Sequence, residues 1–153
     1  MGFSDILGHT KTLGTIQAYL GKSRFSGSYI FSGPEGIGKK MTAKIIAQQL
    51  NCTGQVLRPC GSCGGCLKIQ KETHPDLHII QNGQSQIKME DIRGILRQAN
   101  LRPYEGAVKV FIIDNAHKLN SEAANSLLKV LEEPPGDVLI ILVTHKPQNI
   151  IKT

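Results

Sequence analysis

The chain has no apolar run longer than six residues, Val138 to Val143, far short of the roughly 20 needed to cross a bilayer as a helix. Its N-terminus, MGFSDILGHT, lacks a basic stretch followed by a hydrophobic one, so no secretory signal is legible. Gly2 follows Met1, but Ile6 stands where an N-myristoylation signal needs Ser or Thr. There is no internal repeat and no low-complexity segment. Together these absences leave a soluble cytoplasmic protein as the expectation.

Two further absences are more pointed. The stretch GPEGIGKK, residues 33 to 40, meets the phosphate-loop pattern GxxxxGK[ST] at Gly33, Gly38 and Lys39, but the last place holds Lys40. A hydroxyl there would hold the Mg²⁺ of a bound nucleotide, which a lysine cannot do. The second is a missing glutamate. The apolar run Val110 to Ile113 ends in Asp114, where an acid at a strand's C-terminal end can face the phosphate loop. In hydrolysing proteins of this class the next residue is a glutamate that polarises the attacking water. Here it is Asn115, and an amide cannot take a proton.

What is present is ordinary in amount. The 153 residues suit one domain with a single substantial core; 40% are hydrophobic and 20% charged. The net charge of +6 admits an anionic partner, though a basic protein with no such partner has the same balance. Strands are expected at Ser28–Phe31, Leu77–Ile80, Val108–Ile113 and Val138–Val143, from their β-branched apolar runs. Between them, Lys39–Leu50 places Ala43, Ile46, Ala47 and Leu50 on one helical face, and Glu90–Asn100 does so with Ile92, Ile95, Leu96 and Ala99. Ser121–Glu133 repeats the pattern and stops at Pro134 and Pro135, which cannot continue a helix. A further helix is expected from about Thr10 to Leu20, ending at Gly21. Strands alternating with helices predict an α/β domain with a parallel sheet covered on both faces.

The phosphate-loop reading rests on this context. Gly33 follows a strand and Gly38 opens a helix, so glycine-rich backbone can turn its N–H groups onto phosphates at a helix N-terminus. Lys39 then reaches the β/γ-phosphates as a point charge. The nucleotide-binding set is therefore Gly33, Pro34, Glu35, Gly36, Ile37, Gly38, Lys39, Lys40 and Met41. The plainer alternative is a strand-to-helix turn with two solvated lysines. ATP with Mg²⁺ is the ligand such a cradle is shaped for. The paired changes at Lys40 and Asn115 look like a nucleotide fold kept for shape.

All four cysteines lie between residues 52 and 66, as Cys52, Cys60, Cys63 and Cys66, spaced C-x7-C-x2-C-x2-C. Four thiolates so close can close a tetrahedral site around structural Zn²⁺, with Gly61, Gly64 and Gly65 allowing tight turns that aim the sulfurs inward. Two disulfides are the first alternative, without an export signal to support them. An iron–sulfur cluster is the second, but the fourth cysteine lies upstream and no C-x3-C-P follows. Residues 52–66 thus read as an inserted module. His74, His78, His117 and His145 form no comparable cluster and read as ordinary surface or packing residues.

Taken in order, GPEGIGKKMTAKIIAQQLNC, the four-cysteine loop, HPDLHII, IIDNAHKLNSEAANSLLKVLEEPP and LVTHKPQNIIKT resemble the AAA+ subunits of the bacterial DNA polymerase III clamp loader. FSDILGH, residues 3 to 9, is similar to the family's N-terminal segment beside the adenine pocket. The resemblance covers nearly the whole chain. It implies a three-layer P-loop NTPase domain over residues 1–153 with strand order 1-4-3-2, and a loader that opens the sliding clamp and closes it on primed DNA. It implies partners among gamma/tau and delta subunits. Thr144 matches the polar residue that senses the γ-phosphate; the plainer alternative is a strand-end turn threonine. In the family a Ser-Arg-Cys segment, a fifth strand beside strand 1, a helical lid and a collar follow, so the chain resembles the N-terminal part of a longer protein. Lys40 and Asn115 favour the delta-prime type, a largely non-hydrolysing stator. A gamma/tau-type ATPase and a zinc-stapled DNA-binding module are the competing readings. The bare edge implied for Ser28–Phe31 is expected either to associate with another chain or to lie under the N-terminal segment.

Overall fold

The computed structural model describes residues 1–22 and 25–151, the side chain of Ile151 excepted. Helix α1 spans Thr10–Gly21 and is followed by strand β1, Gly27–Ser32. Then come α2 (Lys39–Asn51), α3 (Gly64–Gln70), β2 (Leu77–Ile80), α4 (Met89–Ala99), β3 (Lys109–Ile113), α5 (Ser121–Glu132), β4 (Val138–Thr144) and α6 (Gln148–Ile151). Short 3₁₀ turns occupy Phe3–Asp5 and Ala116–Lys118. No helix among the described residues is long and apolar enough to cross a membrane.

The four strands form one parallel sheet in the order β1-β4-β3-β2. That is the order the resemblance implied. The two central strands, β3 and β4, are buried throughout, in keeping with their apolar sequences, which only Lys109 and Thr144 at the strand ends interrupt. Side-chain alternation splits their residues between two cores. Phe111, Ile113, Ile140 and Leu142 pack with Ile92 and Ile95 of α4 and with Ala123 and Leu127 of α5. Val110, Ile112, Leu139 and Ile141 pack on the other face with Ala43, Ile46 and Ala47 of α2 and Ile69 of α3. Ile16 and Leu20 of α1 join this second cluster beside Tyr29 and Phe31.

Element bounds depart from the sequence expectation where side chains intervene. Val108 falls outside β3: its N–H donates to Asn51 Oδ1 and its carbonyl accepts from Asn51 Nδ2, both at 3.0 Å. The buried Asn51 amide thus replaces a strand neighbour. Helix α5 stops at Glu132, since Glu133 precedes a proline and leaves the helical region. Helix α4 runs one residue earlier than expected, with Asp91 Oδ2 accepting the Lys88 N–H at 2.8 Å to hold its first turn.

The larger correction concerns residues 52–66, which are not a loop throughout. Gly64 and Gly65 are the first residues of α3 rather than turn formers. Only Gly61, at φ +74°, makes the left-handed turn expected of it. Gly65 is needed for another reason: a Cβ there would meet the Asn51 carbonyl oxygen at 2.7 Å. Helix α3 is too short to show helical periodicity. It holds because Cys66 and Ile69 are fully buried and Gln48 Nε2 of α2 donates to the Cys66 carbonyl at 2.9 Å.

Candidate functional site

Residues 33–38, expected from their glycine spacing to form a phosphate loop, join β1 to α2. Their backbone is shaped by Gly36 and Gly38, both in the left-handed region at φ +77° and +93°. Gly38 precedes the first turn of α2, where the N–H groups of Lys39, Lys40 and Met41 have no partner inside the helix. This helix end borders a cleft of about 420 Å³ and lends it the positive end of the helix dipole. Lining it are Glu35, Gly36, Gly38, Lys39, Lys40, Met41, Asp114, Asn115, Val143, Thr144 and His145. Gly33, Pro34 and Ile37 do not line this cleft. The Gly33 and Pro34 carbonyls instead accept from Lys39 Nζ at 2.7 and 2.5 Å. Ile37 faces a neighbouring, more apolar cavity of about 540 Å³, shared with Ile6, Ile16, Ile30 and Phe31. Lys39 lines both cavities and connects them.

The residues that replace the missing chemistry have definite places. Lys40 Nζ donates to Gln81 Oε1, just past the end of β2. Asn115 takes a left-handed conformation, φ +52°, which asparagine tolerates better than most residues. Its N–H donates to Asp114 Oδ1 at 3.0 Å, so the two residues form one tight turn beyond β3.

Thr144 is 1% exposed and its hydroxyl is already engaged. Oγ1 accepts the Lys146 N–H at 2.9 Å and lies 3.0 Å from His117 Nδ1. The strand-end turn that stood as its plainer alternative is therefore present in the structure.

Two of the histidines are brought together by the fold. His117 and His145, distant in sequence, meet edge to face with ring centroids 4.4 Å apart at the rim of the cleft. His145 Nδ1 lies 3.2 Å from Glu35 Oε1 of the phosphate loop. Burial holds the basicity of His117 below the ordinary value, aided by the like charges of His145, Lys146 and Lys118 and opposed by Glu35. Sequence reading missed this pair because no spacing rule joins positions brought together across two strand ends. His74 is a buried packing residue: its Nδ1 accepts the Asp76 N–H at 3.1 Å and its Nε2 lies 3.5 Å from Glu105. His78 stacks on Phe111, with ring centroids 5.0 Å apart.

The second site is the cysteine cluster on the α2–α3 side. The four sulfurs lie within 4.8 Å of one another, and none is in a disulfide. Cys52 and Cys63 Sγ are 3.9 Å apart. A tetrahedral Zn–S bond of about 2.3 Å implies sulfur separations near 3.8 Å, so the group can hold a metal ion. Backbone N–H groups donate to these sulfurs: Gly54 and Cys60 to Cys52, and Cys63 to Cys60, each at 3.3 Å, with Cys66 to Cys63 at 3.4 Å. Such donors favour thiolates, the form that binds metal. The bond from the Cys66 N–H brings the Cys63 thiol down to about 5, while burial pushes Cys66 up to about 12. Bound there, a metal would cross-link the end of α2 to the start of α3, leaving no open place for catalysis.

Comparison with known proteins follows the same lines. The family model described as "DNA polymerase III, delta subunit" matches residues 8–153. Subunit tau of Escherichia coli DNA polymerase III is 38% identical over 149 residues, 97% of this chain and 23% of that protein. Subunit delta' of Bacillus subtilis is 37% identical over 132 residues, 86% of this chain and 40% of that protein. The chain thus spans well under half the length of these relatives. Among solved structures, a Thermotoga maritima protein related to the DNA polymerase III gamma subunit superimposes with a TM-score of 0.60 at 21% identity, over 92% of this chain and 42% of that one. The Thermotoga maritima RuvB Holliday junction branch migration motor gives 0.52 at 16% identity, over 95% of this chain and 42% of that one. At those identities the likeness is one of fold.

Proposed function

The chain belongs to the AAA+ family of DNA polymerase III clamp-loader subunits, and from that premise we propose that it serves as a delta-prime-like stator. In this reading it is a cytoplasmic, largely non-hydrolysing member of a loader that places the sliding clamp on primed DNA. Its partners are gamma/tau subunits, which supply the hydrolysis, and a delta subunit. The observation that carries the reading is the pair Lys40 and Asn115, set in one cleft with Lys39 and Asp114. Lys40 occupies the place of the metal-holding hydroxyl and is bound to Gln81. Asn115 offers no base to an attacking water. The cradle, residues 33–41, is retained because it shapes the domain: it joins β1 to α2, and the Gly33 N–H, donating to the Thr144 carbonyl at 3.2 Å, anchors it to the end of β4.

A gamma/tau-type ATPase is the second reading, favoured by the identity to subunit tau and by a cleft with room for phosphates. ATP turnover separates the two, measured on the full-length protein alone and with its partner subunits. We expect negligible turnover by this subunit, and little gain from Lys40→Thr with Asn115→Glu in the isolated protein. Turnover of about 1 s⁻¹ or more by the unaltered subunit would sink the stator assignment.

The four cysteines are proposed to hold one structural Zn²⁺. Elemental analysis of protein purified without added metal should give about one zinc per chain. Iron with visible absorbance, or reduced protein free of metal, counts against it.

A further inference from the structure

Thr144 has one hydroxyl proton to donate and two lone pairs to offer. One lone pair is taken by the Lys146 N–H at 2.9 Å. Thr144 is 1% exposed, and among the described residues the acceptor within reach of its proton is His117 Nδ1 at 3.0 Å. A buried hydroxyl left without an acceptor is costly, so the proton goes to Nδ1, and a neutral His117 then carries its own proton on Nε2. Protonating Nδ1 reverses the bond. His117 becomes the donor, both Thr144 lone pairs are filled, and the hydroxyl proton loses its acceptor at the floor of a cleft lined by Lys39 and Lys40.

We propose that His117 is a positioning residue for phosphate recognition: neutral, it withholds the Thr144 hydroxyl proton from the cleft, and protonated, it releases that proton to a bound anion. A phosphate in the cleft and a proton on His117 then stabilise each other, and binding is linked to proton uptake. The charged groups around the ring set the balance. His145 meets it edge to face, Lys146 follows β4, Lys118 is on its own 3₁₀ turn, and these oppose its charging, while Glu35 of the phosphate loop favours it. Asp114 and Lys39 stand across the cleft. Burial and the neighbouring cations favour the uncharged ring, the state in which the hydroxyl is withheld. This inference rests on reading the cleft as a phosphate site.

Two measurements on the purified protein test it. Nitrogen-15 shifts of the His117 ring at pH 7.5 should report an unprotonated Nδ1 and a protonated Nε2; the opposite tautomer overturns the proposal. Calorimetric titration with inorganic pyrophosphate at pH 6 and pH 8 reads the linkage. Affinity should rise toward pH 6 by about fivefold more in the unaltered protein than in Thr144→Val, the low end of usual coupling. His117→Gln, which keeps an acceptor but cannot titrate, should match Thr144→Val. Pyrophosphate and His145 titrate in all three proteins, so only the difference counts. Equal pH dependence in the three overturns the role of His117 and leaves the phosphate site standing. Absence of pyrophosphate binding at both pH values removes the phosphate site and the proposal with it.

Discussion

Asp76 shows how one buried charge can fix a distant loop. It is fully buried just before β2, and its carboxylate accepts the N–H groups of Tyr104, Glu105 and Gly106 at 2.6, 2.9 and 2.7 Å. Burial works to raise its pKa, but these three donors and nearby His74 outweigh it and hold the carboxyl below the usual range. Gly106 belongs to the same arrangement, since a Cβ there would meet Asn51 Oδ1 at 2.4 Å. A lowered folded-state pKa gives stability that is complete above the unfolded value, about 3.9, and lost as pH falls through the folded one. Asp76→Asn should therefore cost about 2 kcal/mol or more at pH 7, judged by bonds to charged groups. Urea denaturation at pH 7 and pH 3 checks the sign. The gap between variant and unaltered protein should narrow at the lower pH, and a constant gap would exclude a charge-based role.

Among the elements, α3 depends most on what lies outside it. Seven residues opening with two glycines do not make a stable isolated helix. It is held by the burial of Ile69, by the Gln48 bond to Cys66 and by the cysteine cluster at its N-terminal end. The Cys63 sulfur also accepts the Cys66 N–H, which caps the helix. Chelating the proposed zinc, or Cys63→Ser, should speed amide exchange across Gly64–Gln70 by at least about tenfold, the equivalent of 1.4 kcal/mol. The amides of Val110–Ile113 and Leu139–Val143 should keep their protection, because those strands lie in cores that do not include the sulfurs. Unchanged exchange in α3 would mean that packing on α2 suffices without the cluster.

At the scale of the whole sheet, β1 is an end strand. Among the described residues its only strand neighbour is β4, in register from Gly27 opposite Leu139 to Ser32 opposite Thr144. The N-terminal segment does not run along that edge as a strand. Phe3, Ile16 and Leu20 pack over the face that carries Tyr29 and Phe31, while Ile30 on the other face remains 46% exposed. Unpaired edges of this kind recruit other chains. Sedimentation velocity of the chain should show concentration-dependent association, reduced by Ile30→Lys, since an edge lysine opposes strand pairing. Association that is indifferent to this substitution would place the contact elsewhere.

Local pattern alone determined the alternation of strands and helices, the strand-loop-helix setting of Gly33–Met41, and the grouping of Cys52, Cys60, Cys63 and Cys66. Each is carried by spacing within about 20 residues, a range over which backbone geometry links position to direction. Tertiary structure decided the rest. It gave Val108 to the Asn51 amide instead of to β3, made Gly64 and Gly65 helical, and turned Thr144 toward His117. It also set His145 against Glu35 across the cleft. Those outcomes depend on which strand ends and helix ends become neighbours when the sheet orders itself β1-β4-β3-β2. A side chain's hydrogen-bond partner is chosen by that proximity, and proximity across a sheet leaves no periodic mark in the sequence.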